Sequence, residues 1–349
     1  MAESLSAQLP ETGKASVPMA DIGPVALKGD VQGEVMVPMA TYETTLWPST
    51  NRGAAVTRRA GGIQVVVVRE AMARSILVTA PDAQKAVAFG RELQAQQEKV
   101  AEIIAASSRF ARLEGLHCHH VGNLVYLRIS ISSGDAAGHN MVTLASDRVM
   151  NWILQTWPEI SYGSISGNFC TDKKVSAVNA ILGRGKHVIC ESLIPRKLIR
   201  RYLKTTPEAI AELNVHKNLI GSIAAGGVQT GNAHVANMLL AVYLATGQDG
   251  ANIVEGSQAI TQAEVRGDEL YFSVSLPNII VGTVGNGKGL PFVTENLTRL
   301  GCMESREPGE NARRLAAITA GTVLCGELSL MAALTNPGEL MQAHVRFER

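Results

Sequence analysis

Apolar and polar residues alternate differently in successive parts of the chain. Residues 1–17 are largely polar and show no apolar period, so we expect a flexible segment there. From Val25 to Val37 the pattern predicts short strands broken by glycines. The apolar run IQVVVVRE at 63–70 predicts a buried strand. The chain is therefore expected to enter β-structure directly after its polar segment.

A different pattern fills residues 75–165. SILVTA predicts a strand, and Pro81 opens a helical segment that we expect to run to about Leu113, with a possible break near the paired serines. LHCHH and NLVYLRISIS predict two strands joined by a turn at Gly122 and Asn123. A second helix through SDRVMNWILQTW and a last strand, EISYGSIS, follow. The order strand, helix, strand, strand, helix, strand is that of a ferredoxin-like βαββαβ unit.

The segments on either side contain more helices, including a Gly/Ala-rich run at 220–247 whose small residues permit close helix approach. Because neither flanking segment has a complete pattern, we expect residues 18–74 and 166–349 to form one large helical domain. The small domain, residues 75–165, would be inserted into it. The predicted fold class is α+β.

Composition and charge limit the possible partners. The chain has 349 residues, 46% of them hydrophobic, and a net charge of +1, so no global field would attract nucleic acid or an anionic membrane. The longest apolar stretch, at 235–245, is too short to cross a bilayer, and the amino-terminal residues lack a signal-peptide pattern. The five cysteines are scattered without a CxxC pair, which indicates free thiols in a reducing compartment. These features predict a soluble, cytoplasmic protein whose partners are small molecules or copies of itself.

The stretch ISGNFCTDKKVSA at 165–177 sets Asp172, Lys173 and Lys174 where a loop is predicted to become a helix. A helix start favours acidic residues and disfavours cations, so Asp172 fits that position and the lysines do not. Backbone N–H groups together with fixed cations form an anion site. The alternative is a capped helix with two solvated lysines.

Two other motifs resemble a nucleotide-hydrolysing phosphate-binding loop and a metal site, but their residues argue against both functions. GTVGNGKG at 282–289 matches the GxxxxGK of a phosphate-binding loop, but Gly289 occupies the position of the Ser or Thr that would hold Mg²⁺, which argues against nucleotide hydrolysis. A glycine-rich loop that admits a phosphate or a nicotinamide ring is still possible. In the run HCHH at 117–120, alternate side chains face opposite sides of a strand, so one metal ion cannot bind all four. We interpret HCHH as the polar surface of a strand.

Phosphate-binding features recur in the predicted small domain. GDAAGHNM at 134–141 joins a strand to a helix, where Asp135 would cap the helix and Asn140 would add hydrogen bonds to a pyrophosphate or ribose. Ser108 and Arg109 are suitable donors for a further phosphate. Each signal alone is no stronger than an ordinary turn, but together they predict a dinucleotide site without a Rossmann fold, since no GxGxxG follows a strand.

Three more segments carry isolated polar groups. Glu43 lies among threonines in PMATYETTLWPSTNRG, and Asp249 follows the end of an apolar helix in TGQDG. GELSLMAAL, at 326–334, is interpreted as a helix that starts with an acid and a serine. Each has an explanation without any function: an exposed loop for Glu43, a helix end for Asp249 and a helix start for GELSLMAAL.

Taken in order, these segments resemble the class I form of 3-hydroxy-3-methylglutaryl-coenzyme A reductase over roughly residues 18–349. The motifs that carry the resemblance are PMATYETTLWPSTNRG, SRFARL, SGDAAGHNM, SGNFCTDKK, HKNLIGS, GNAHVAN, GQD, GTVGNG, GENARRLA and GELSLMAAL. The family fold has a small dinucleotide-binding domain inserted into a large helical one. The resemblance implies the four-electron reduction of a thioester to mevalonate and free coenzyme A by two nicotinamide cofactors.

The resemblance also implies roles for individual residues. Lys173 would stabilise the developing oxyanion, Glu43 would donate a proton to the aldehyde oxygen, Asp249 would tune both, and His344 would protonate the leaving thiolate. The implied substrate-binding residues are Arg74, Ser166, Asn168, Asp172, Lys174, Lys217, Asn237 and Ser329. The implied cofactor-binding residues are Ser108, Arg109, Phe110, Asp135, Gly138, His139, Asn140, Val284 and Gly285. No metal is implied.

Cofactor and assembly follow from the same resemblance. Arg109 can contact a 2′-phosphate and no acidic ribose reader is recognisable, so we expect NADPH, with NADH as a weaker alternative. We expect a homo-oligomer, a dimer or a tetramer, with its active site at a subunit interface. Two alternatives stay open, namely a related acyl-CoA or aldehyde reductase with a drifted substrate and a non-catalytic cofactor-binding homologue.

The chain departs from the family pattern at several positions. ETGKA at 11–15 stands where the family usually has a dimerisation element, and Asn286 and Lys288 stand in a loop that is usually richer in Gly and Thr. Ala137 and His139 occupy positions where methionines are usual. The first departure bears on assembly and the others on the cofactor site.

Overall fold

The computed structural model describes residues 15–348, apart from the side chains of residues 343, 344 and 346–348. The strands are β1 (Met19–Gly29), β2 (Gly33–Ala40), β3 (Ile63–Thr79), β4 (Leu113–Val121), β5 (Leu124–Ile131), β6 (Ser161–Ser164), β7 (Gly185–Pro195), β8 (Ile260–Arg266) and β9 (Glu269–Ile279). The α-helices are α1 (Leu46–Arg59), α2 (Ala83–Ala95), α3 (Gln97–Ala105), α4 (His139–Thr156), α5 (Ala177–Leu182), α6 (Arg196–Leu198), α7 (Pro207–Leu213), α8 (Ser222–Ala224), α9 (Val235–Ala245), α10 (Ile253–Gly256), α11 (Pro291–Arg299), α12 (Glu310–Leu334) and α13 (Glu339–Glu348). Two π-helical segments, Ile199–Leu203 and Asn214–Gly221, and a 3₁₀ turn, Gly250–Asn252, complete the described elements.

The long strand β3 belongs to two sheets. Its first part lies in a six-stranded sheet with the order β2-β1-β3-β7-β9-β8, and its second part lies in a sheet with the order β4-β5-β3-β6. The pairing of β1 with β3 is parallel, and the other strand pairs are antiparallel. A single 17-residue strand therefore connects the two sheets rigidly.

Each sheet packs on its own hydrophobic core. One core lies between the six-stranded sheet and helices α1, α9 and α12, and the other lies between the second sheet and helices α2, α3 and α4. Helix α1 approaches α12 so closely that a Cβ on Gly53 would lie 1.9 Å from the carbonyl oxygen of Cys325, so only glycine fits at position 53. Within the described residues, α12 is long and apolar enough to span a membrane, but 94% of its most apolar 18 residues are buried inside the protein. The core thus accounts for its apolar surface.

The structure confirms the α+β class and corrects several predicted boundaries. The helix after Pro81 is two helices that meet at Gln96 and end at Ala105, short of Leu113. Residues 326–334 do not start a helix, because they form the last part of α12. The helix predicted at Asp172 begins at Ala177, where Ser176 caps it by accepting a hydrogen bond from Asn179 N. At Asp172, the later cap by Ser176 overrides the local pattern.

Two other features were predicted incompletely. The region outside 75–165 contains six-stranded β-structure as well as helices, and of the run 220–247 only residues 222–224 and 235–245 are α-helical.

All five cysteines are free thiols, as the sequence predicted. The division into an inserted small domain and a large domain stays a prediction. Residues 1–14, which include most of ETGKA, lie outside the described residues.

Candidate active site

The loop before α5 has an unusual backbone. Asn168, Thr171 and Lys173 have φ angles of 62°, 44° and 56°, a region that residues with a Cβ seldom occupy. Each such residue costs about 1–3 kcal/mol and persists only where its surroundings fix it. The Asn179 side chain donates to the carbonyl of Thr171 at 3.1 Å, and the Lys173 N–H donates to Glu255 Oε1 at 3.2 Å. These bonds hold the loop in a conformation that aims the Lys173 side chain at Asp249.

Lys173 and Asp249 form an ion pair, with Nζ 2.7 Å from Oδ2. The hydrogen bond to Asp249 raises the pKa of Lys173 above its ordinary value. Burial works to raise the pKa of Asp249, but hydrogen bonds from Lys173 and from the N–H of Ala251 outweigh it, and the pKa lies below its ordinary value. The side chains are 41% and 46% exposed, so a ligand can still reach the pair.

A buried ion pair lies beneath the exposed one. Arg184 and Glu255, 1% and 0% exposed, are joined at 2.8 Å, and Glu255 Oε1 also accepts from Asn252 at 3.0 Å. Burial raises the pKa of Glu255, against the attraction of Arg184. Asp172 Oδ1 lies 3.0 Å from Arg184 Nη1 without hydrogen-bond geometry, so the attraction between Asp172 and Arg184 is chiefly coulombic. The loop that carries Lys173 is thus attached to buried charge at two points.

Other predicted substrate residues surround this cluster. The Arg74 guanidinium donates to Thr143 Oγ1 at 3.1 and 2.6 Å and approaches Ser166 Oγ at 3.4 Å. Lys174 Nζ donates to the carbonyl of Asp172 at 3.0 Å. The structure therefore brings Arg74, Ser166, Asn168, Asp172, Lys173, Lys174 and Asp249 into one group, which we call the lysine cluster.

Glu43 lies in a second group, which we call the glutamate pocket. Its Oε2 accepts a hydrogen bond from Asn237 Nδ2 at 2.9 Å. The cavity here has a volume of about 600 Å³ and lies among α1, α9, α12 and α13. Its lining residues are Glu43, Thr45, Leu46, Pro48, Ser49, Arg52, His234, Asn237, Leu330, Ala333, Glu339, Leu340 and Gln342.

Regular helices and a buried acid hold the glutamate pocket. Ser329 Oγ lies 3.0 Å from both Ser49 Oγ and Arg52 Nε, and Arg52 also forms an ion pair with Glu339 of α13. Glu327, which is completely buried, accepts from the N–H groups of residues 233 and 234 at 2.8 and 2.7 Å. The acid of GELSLMAAL therefore fixes the start of α9 and does not begin a helix.

One predicted residue, Lys217, joins neither group. Lys217 lies in the π-helical segment Asn214–Gly221, where its Nζ is 3.4 Å from Asn218 Oδ1. The His344 side chain lies outside the described residues. Among the residues that the structure does describe, no hydrogen bond or ion pair joins Glu43 to Lys173 or Asp249. Of the predicted catalytic residues that the structure describes, Glu43 thus belongs to one group, and Lys173 and Asp249 belong to the other.

The predicted cofactor motifs meet at the start of α4. The Thr283 N–H donates to the carbonyl of Asp135 at 2.8 Å, and Val284 forms a bridge with Ala136, so GDAAGHNM touches the loop that contains Val284 and Gly285. Gly138 precedes α4 with φ of 96° and provides no side-chain cap. A Cβ there would lie 2.9 Å from Ser133 and Met72. The first N–H groups of α4 are therefore left to a ligand or to solvent.

Asp135 has a different structural role from the one predicted. Its carboxylate accepts from the N–H groups of Gly309 and Ala312 at 3.1 and 2.9 Å, so it caps α12 and does not cap α4. Sequence reasoning assigned it to the helix that follows it in the chain. The actual partner is 174 residues away, and no local pattern signals it.

His139 contributes to the lysine cluster from the first residue of α4. Its Nε2 is buried and has no hydrogen-bond partner among the described atoms. Burial and the charge of Arg184 lower the pKa of His139, and Asp172 and Asp249 oppose them. Lys288, another departure from the family pattern, donates to the carbonyl of Gly247, and burial lowers its pKa to about 8.

Ser108, Arg109 and Phe110 form the turn after α3. The guanidinium of Arg109 lies 4.6 Å from the centre of the Phe110 ring, and Ser108 Oγ accepts from the Phe110 N–H at 3.3 Å. An open cavity of about 670 Å³ adjoins this turn and is lined by Glu70, Arg109, Phe110, Arg112, Glu114, Ser132, Gly134, Pro308 and Arg313. Burial and Glu70 raise the pKa of Glu114, so this cavity also contains acidic groups that the sequence did not reveal.

Sequence reasoning missed several supporting residues. Arg184, Glu255 and Glu327 are buried charges, and neither their burial nor their partners can be recognised from local sequence. Thr143 supports Arg74 from α4. Arg52 stands inside a quoted motif, PMATYETTLWPSTNRG, and its place in that motif was the available signal.

Comparison with known proteins agrees with the resemblance found in the sequence. Residues 11–349 match the family model for hydroxymethylglutaryl-coenzyme A reductase. The chain is 43% identical over 335 residues to the 3-hydroxy-3-methylglutaryl-coenzyme A reductase of Aeropyrum pernix, covering 95% of this chain and 79% of that protein. It is 44% identical over 341 residues to reductase 2 of Arabidopsis thaliana, covering 97% of this chain and 60% of that protein.

A solved structure shows the same fold. The class II 3-hydroxy-3-methylglutaryl-CoA reductase of Streptococcus pneumoniae, bound to NADPH in open conformations, superposes with a TM-score of 0.73 over 93% of this chain and 86% of that one, at 20% identity. At that identity the likeness concerns the fold alone. The match of the family model over almost the whole chain, together with the archaeal relative, establishes the family: this chain belongs to the hydroxymethylglutaryl-coenzyme A reductases.

Proposed function

We propose that the lysine cluster and the glutamate pocket together carry out the reaction of this family. The chain is an NADPH-dependent oxidoreductase of the mevalonate pathway, a hydroxymethylglutaryl-coenzyme A reductase. In the complete reaction, (S)-3-hydroxy-3-methylglutaryl-coenzyme A, two NADPH and two protons give mevalonate, coenzyme A and two NADP⁺. What we add is the assignment of each step to residues of this chain.

The observation that carries the assignment is the 2.7 Å pair of Lys173 with Asp249 above the buried pair of Arg184 with Glu255. Each reduction turns a carbonyl oxygen into an oxyanion, and a fixed ammonium stabilises that charge most when it is already oriented. Asp249 keeps Lys173 charged and directed. The strained loop and the buried pair restrict its movement, so little reorganisation is needed during the reaction.

The cofactor fits the groups around α4. The uncapped N–H groups after Gly138 suit a pyrophosphate, and the turn of Ser108, Arg109 and Phe110 suits a 2′-phosphate. Val284 and Gly285 border the same space, and the buried, unpartnered Nε2 of His139 is available to a polar atom of the ligand. NADPH supplies hydride when it is bound. These residues hold it, and Arg109 gives the preference over NADH.

We assign the proton-transfer roles to Glu43, in the glutamate pocket, and to His344. Glu43, held by Asn237, donates a proton to the aldehyde oxygen in the second reduction. The neighbouring cavity of about 600 Å³ is large enough for the pantetheine arm of coenzyme A. His344 protonates the leaving thiolate. Arg74 and Lys217 bind the carboxylate of the substrate.

The family resemblance supports a homo-oligomer, a dimer or a tetramer, and it agrees with the finding that no hydrogen bond or ion pair among the described residues joins Glu43 to Lys173 or Asp249. In this proposal, the lysine cluster of one subunit meets the glutamate pocket of another. A mixture of Lys173→Ala and Glu43→Gln subunits would then recover activity, because one site in each mixed dimer carries both intact residues. Two inactive parents whose mixture stays inactive after subunit exchange would contradict the shared site.

The direct test is a spectrophotometric assay with 3-hydroxy-3-methylglutaryl-coenzyme A and NADPH. We expect loss of absorbance at the nicotinamide band that depends on the thioester. Turnover only with another acyl-coenzyme A would indicate a drifted substrate, and cofactor binding without turnover would indicate a non-catalytic homologue. Either outcome would overturn the proposal.

Cofactor preference has its own test. Arg109→Ala removes the charge proposed for the 2′-phosphate, so the KM for NADPH should rise about tenfold while the KM for NADH changes little. Glu114→Gln is the matched variant, because it removes a negative charge from the same cavity where Arg109→Ala removes a positive one. It should therefore lower the KM for NADPH. Equal changes with both cofactors would refute the role of Arg109. A cytoplasmic location stays a prediction, which the five free thiols support.

A further inference from the structure

The HCHH run at 117–120 has no part in the function described so far. It lies in β4, where His117 and His119 are exposed on one face and Cys118 and His120 are half-buried on the other, as the sequence predicted. Across the strand pair, His117 stands opposite Arg128 and His119 opposite Tyr126. The exposed face of β4 thus presents two imidazoles side by side.

Phe169 lies against both imidazoles. Its ring is parallel to His119, with centroids 4.7 Å apart and planes at 8°, and to His117, with centroids 5.7 Å apart and planes at 7°. Tyr126 borders the stack, with its ring 6.4 Å from Phe169. The backbone is fixed as well, because the buried Arg128 donates to the carbonyl of Phe169 at 3.0 Å. Both the ring and the carbonyl of residue 169 are therefore attached to the sheet of β4 and β5.

Phe169 belongs to the loop that carries Lys173. Its neighbours in that loop include three non-glycine residues with positive φ, at positions 168, 171 and 173. A backbone of this kind relaxes to commoner angles unless several contacts oppose the change. Glu255 accepts from the N–H of Lys173 itself, and Ser176 ties the end of the loop to the hydroxyl of Thr171. Between Asn168 and Lys173, the aromatic stack and Arg128 hold residue 169, and the Asn179 side chain holds the carbonyl of Thr171.

We propose that His117, His119 and Phe169 form a positioning element that holds the Lys173 loop in its strained, reactive conformation. The proposal rests on the catalytic role of Lys173 given above. None of the three residues is assigned a contact with the reacting atoms, and all act through the loop. Parallel aromatic rings resist sliding and tilting, so the stack limits rotation of the backbone at Asn168.

The first test measures the loop without any reaction. Lys173 and Lys174 provide trypsin sites inside the loop, and trypsin cuts only where the backbone opens. Phe169→Ala and the double variant His117→Ala/His119→Ala should be cut there about tenfold faster than the parent protein. Phe169→Tyr keeps the ring and should be cut at the parental rate. Val121→Ala, on the same strand and away from the stack, is the matched control.

The second test measures the reaction with the same proteins. Phe169→Ala and the double histidine variant should lose about tenfold in kcat, with an unchanged KM for NADPH and with little change in the temperature of unfolding. Phe169→Tyr should restore kcat. A purely structural role would lower the unfolding temperature and would not separate kcat from the KM for the cofactor.

The outcomes separate the two claims. Parental cleavage rates in both alanine variants would overturn the positioning element, and so would faster cleavage with unchanged kcat. If no form of the protein reduces the thioester, the proposed function fails, while the cleavage rates still decide whether the stack holds the loop.

Discussion

The lysine cluster and the glutamate pocket reach the same end, a fixed ionisable side chain, by different means. Lys173 lies in a loop with three strained residues and is held by charges, namely Asp249 at the surface and Arg184 with Glu255 below. Glu43 lies just before α1 and is held by an amide, in a pocket formed by regular helices. The first arrangement depends on electrostatics and backbone strain. The second depends on helix packing.

The difference predicts how each region responds to damage. In the lysine cluster, removing one charge leaves a buried partner without compensation, so the effect should spread through the cluster. Behind the glutamate pocket, the buried acid Glu327 accepts from Thr261 and from two backbone N–H groups, and no side-chain substitution removes the backbone donors. Substitutions near Glu43 should therefore act locally.

The strongest test of this contrast is Arg184→Met. It leaves Glu255 and Asp172 without their buried counter-charge, and breaking a buried pair in this way costs about 3–5 kcal/mol. We expect a loss of that size in the free energy of unfolding, measured by urea denaturation. The double variant Arg184→Met/Glu255→Leu should recover much of it, because the fully buried charge of Glu255 is then removed and only the partly exposed Asp172 lacks its counter-charge. A loss below about 1 kcal/mol in the single variant would show that the pair does not support the cluster.

This pair also shows where sequence reasoning stops. The order of motifs was enough to identify the family and to name Lys173, Asp249 and Glu43, because these residues stand in long recognisable segments. The α+β class followed from alternation and from breaks at proline and glycine. The partners of Arg184, Glu255 and Asp135 lie tens to more than a hundred residues away, and the periods of 2 and 3.6 residues contain no information about such distances. The predicted helix start at Asp172 failed for the same reason, since contacts with Glu255 and Asn179 keep that segment out of a helix.

Lys173→Ala is the next largest expected effect. An oxyanion develops in both reductions, so turnover of the thioester and of added mevaldehyde should each fall by about 10²–10³. The protein should stay folded, because the Lys173 side chain is 41% exposed. Steady-state rates with each substrate measure the effect, and Lys85→Ala, on the exposed side of α2, is the control.

His344→Ala separates the two reductions. Mevaldehyde has no thiolate to protonate, so this variant should lose about 10² with the thioester and far less with mevaldehyde. Equal losses in both reductions would instead indicate that the carboxyl-terminal segment, or the fold, has collapsed. If Lys173→Ala spared mevaldehyde reduction, the oxyanion role of Lys173 would be wrong.

A smaller effect is expected in the glutamate pocket. Asn237→Ala removes the hydrogen bond on Glu43, and a bond to a charged group is worth about 1.5–3 kcal/mol at most. We expect a tenfold loss or so in mevaldehyde reduction and no change in the free energy of unfolding beyond about 1 kcal/mol. Kinetics and urea denaturation of the same variant test both parts. Destabilisation as large as that of Arg184→Met would remove the contrast between the two regions.

The smallest expected effect concerns His139, the titratable residue that this chain adds to the lysine cluster. Burial and Arg184 lower its pKa below 6.5, and Lys173 acts in the same direction, while Asp172 and Asp249 oppose the shift. Between the lowered pKa and 6.5 the unfolded chain binds more protons than the folded one, so stability is lost as the pH falls through this window. His139→Met cannot titrate, and the variant should therefore gain stability relative to the parent between pH 7 and pH 5. Because the imidazole is only half-buried, we expect a relative gain of about 1 kcal/mol or less. Unfolding temperatures of both proteins, recorded across this range, measure it. If the unfolding temperatures of the two proteins change in parallel with pH, His139 is not part of the charged cluster. A difference between them that widens toward acid pH would extend the lysine cluster to the first turn of α4.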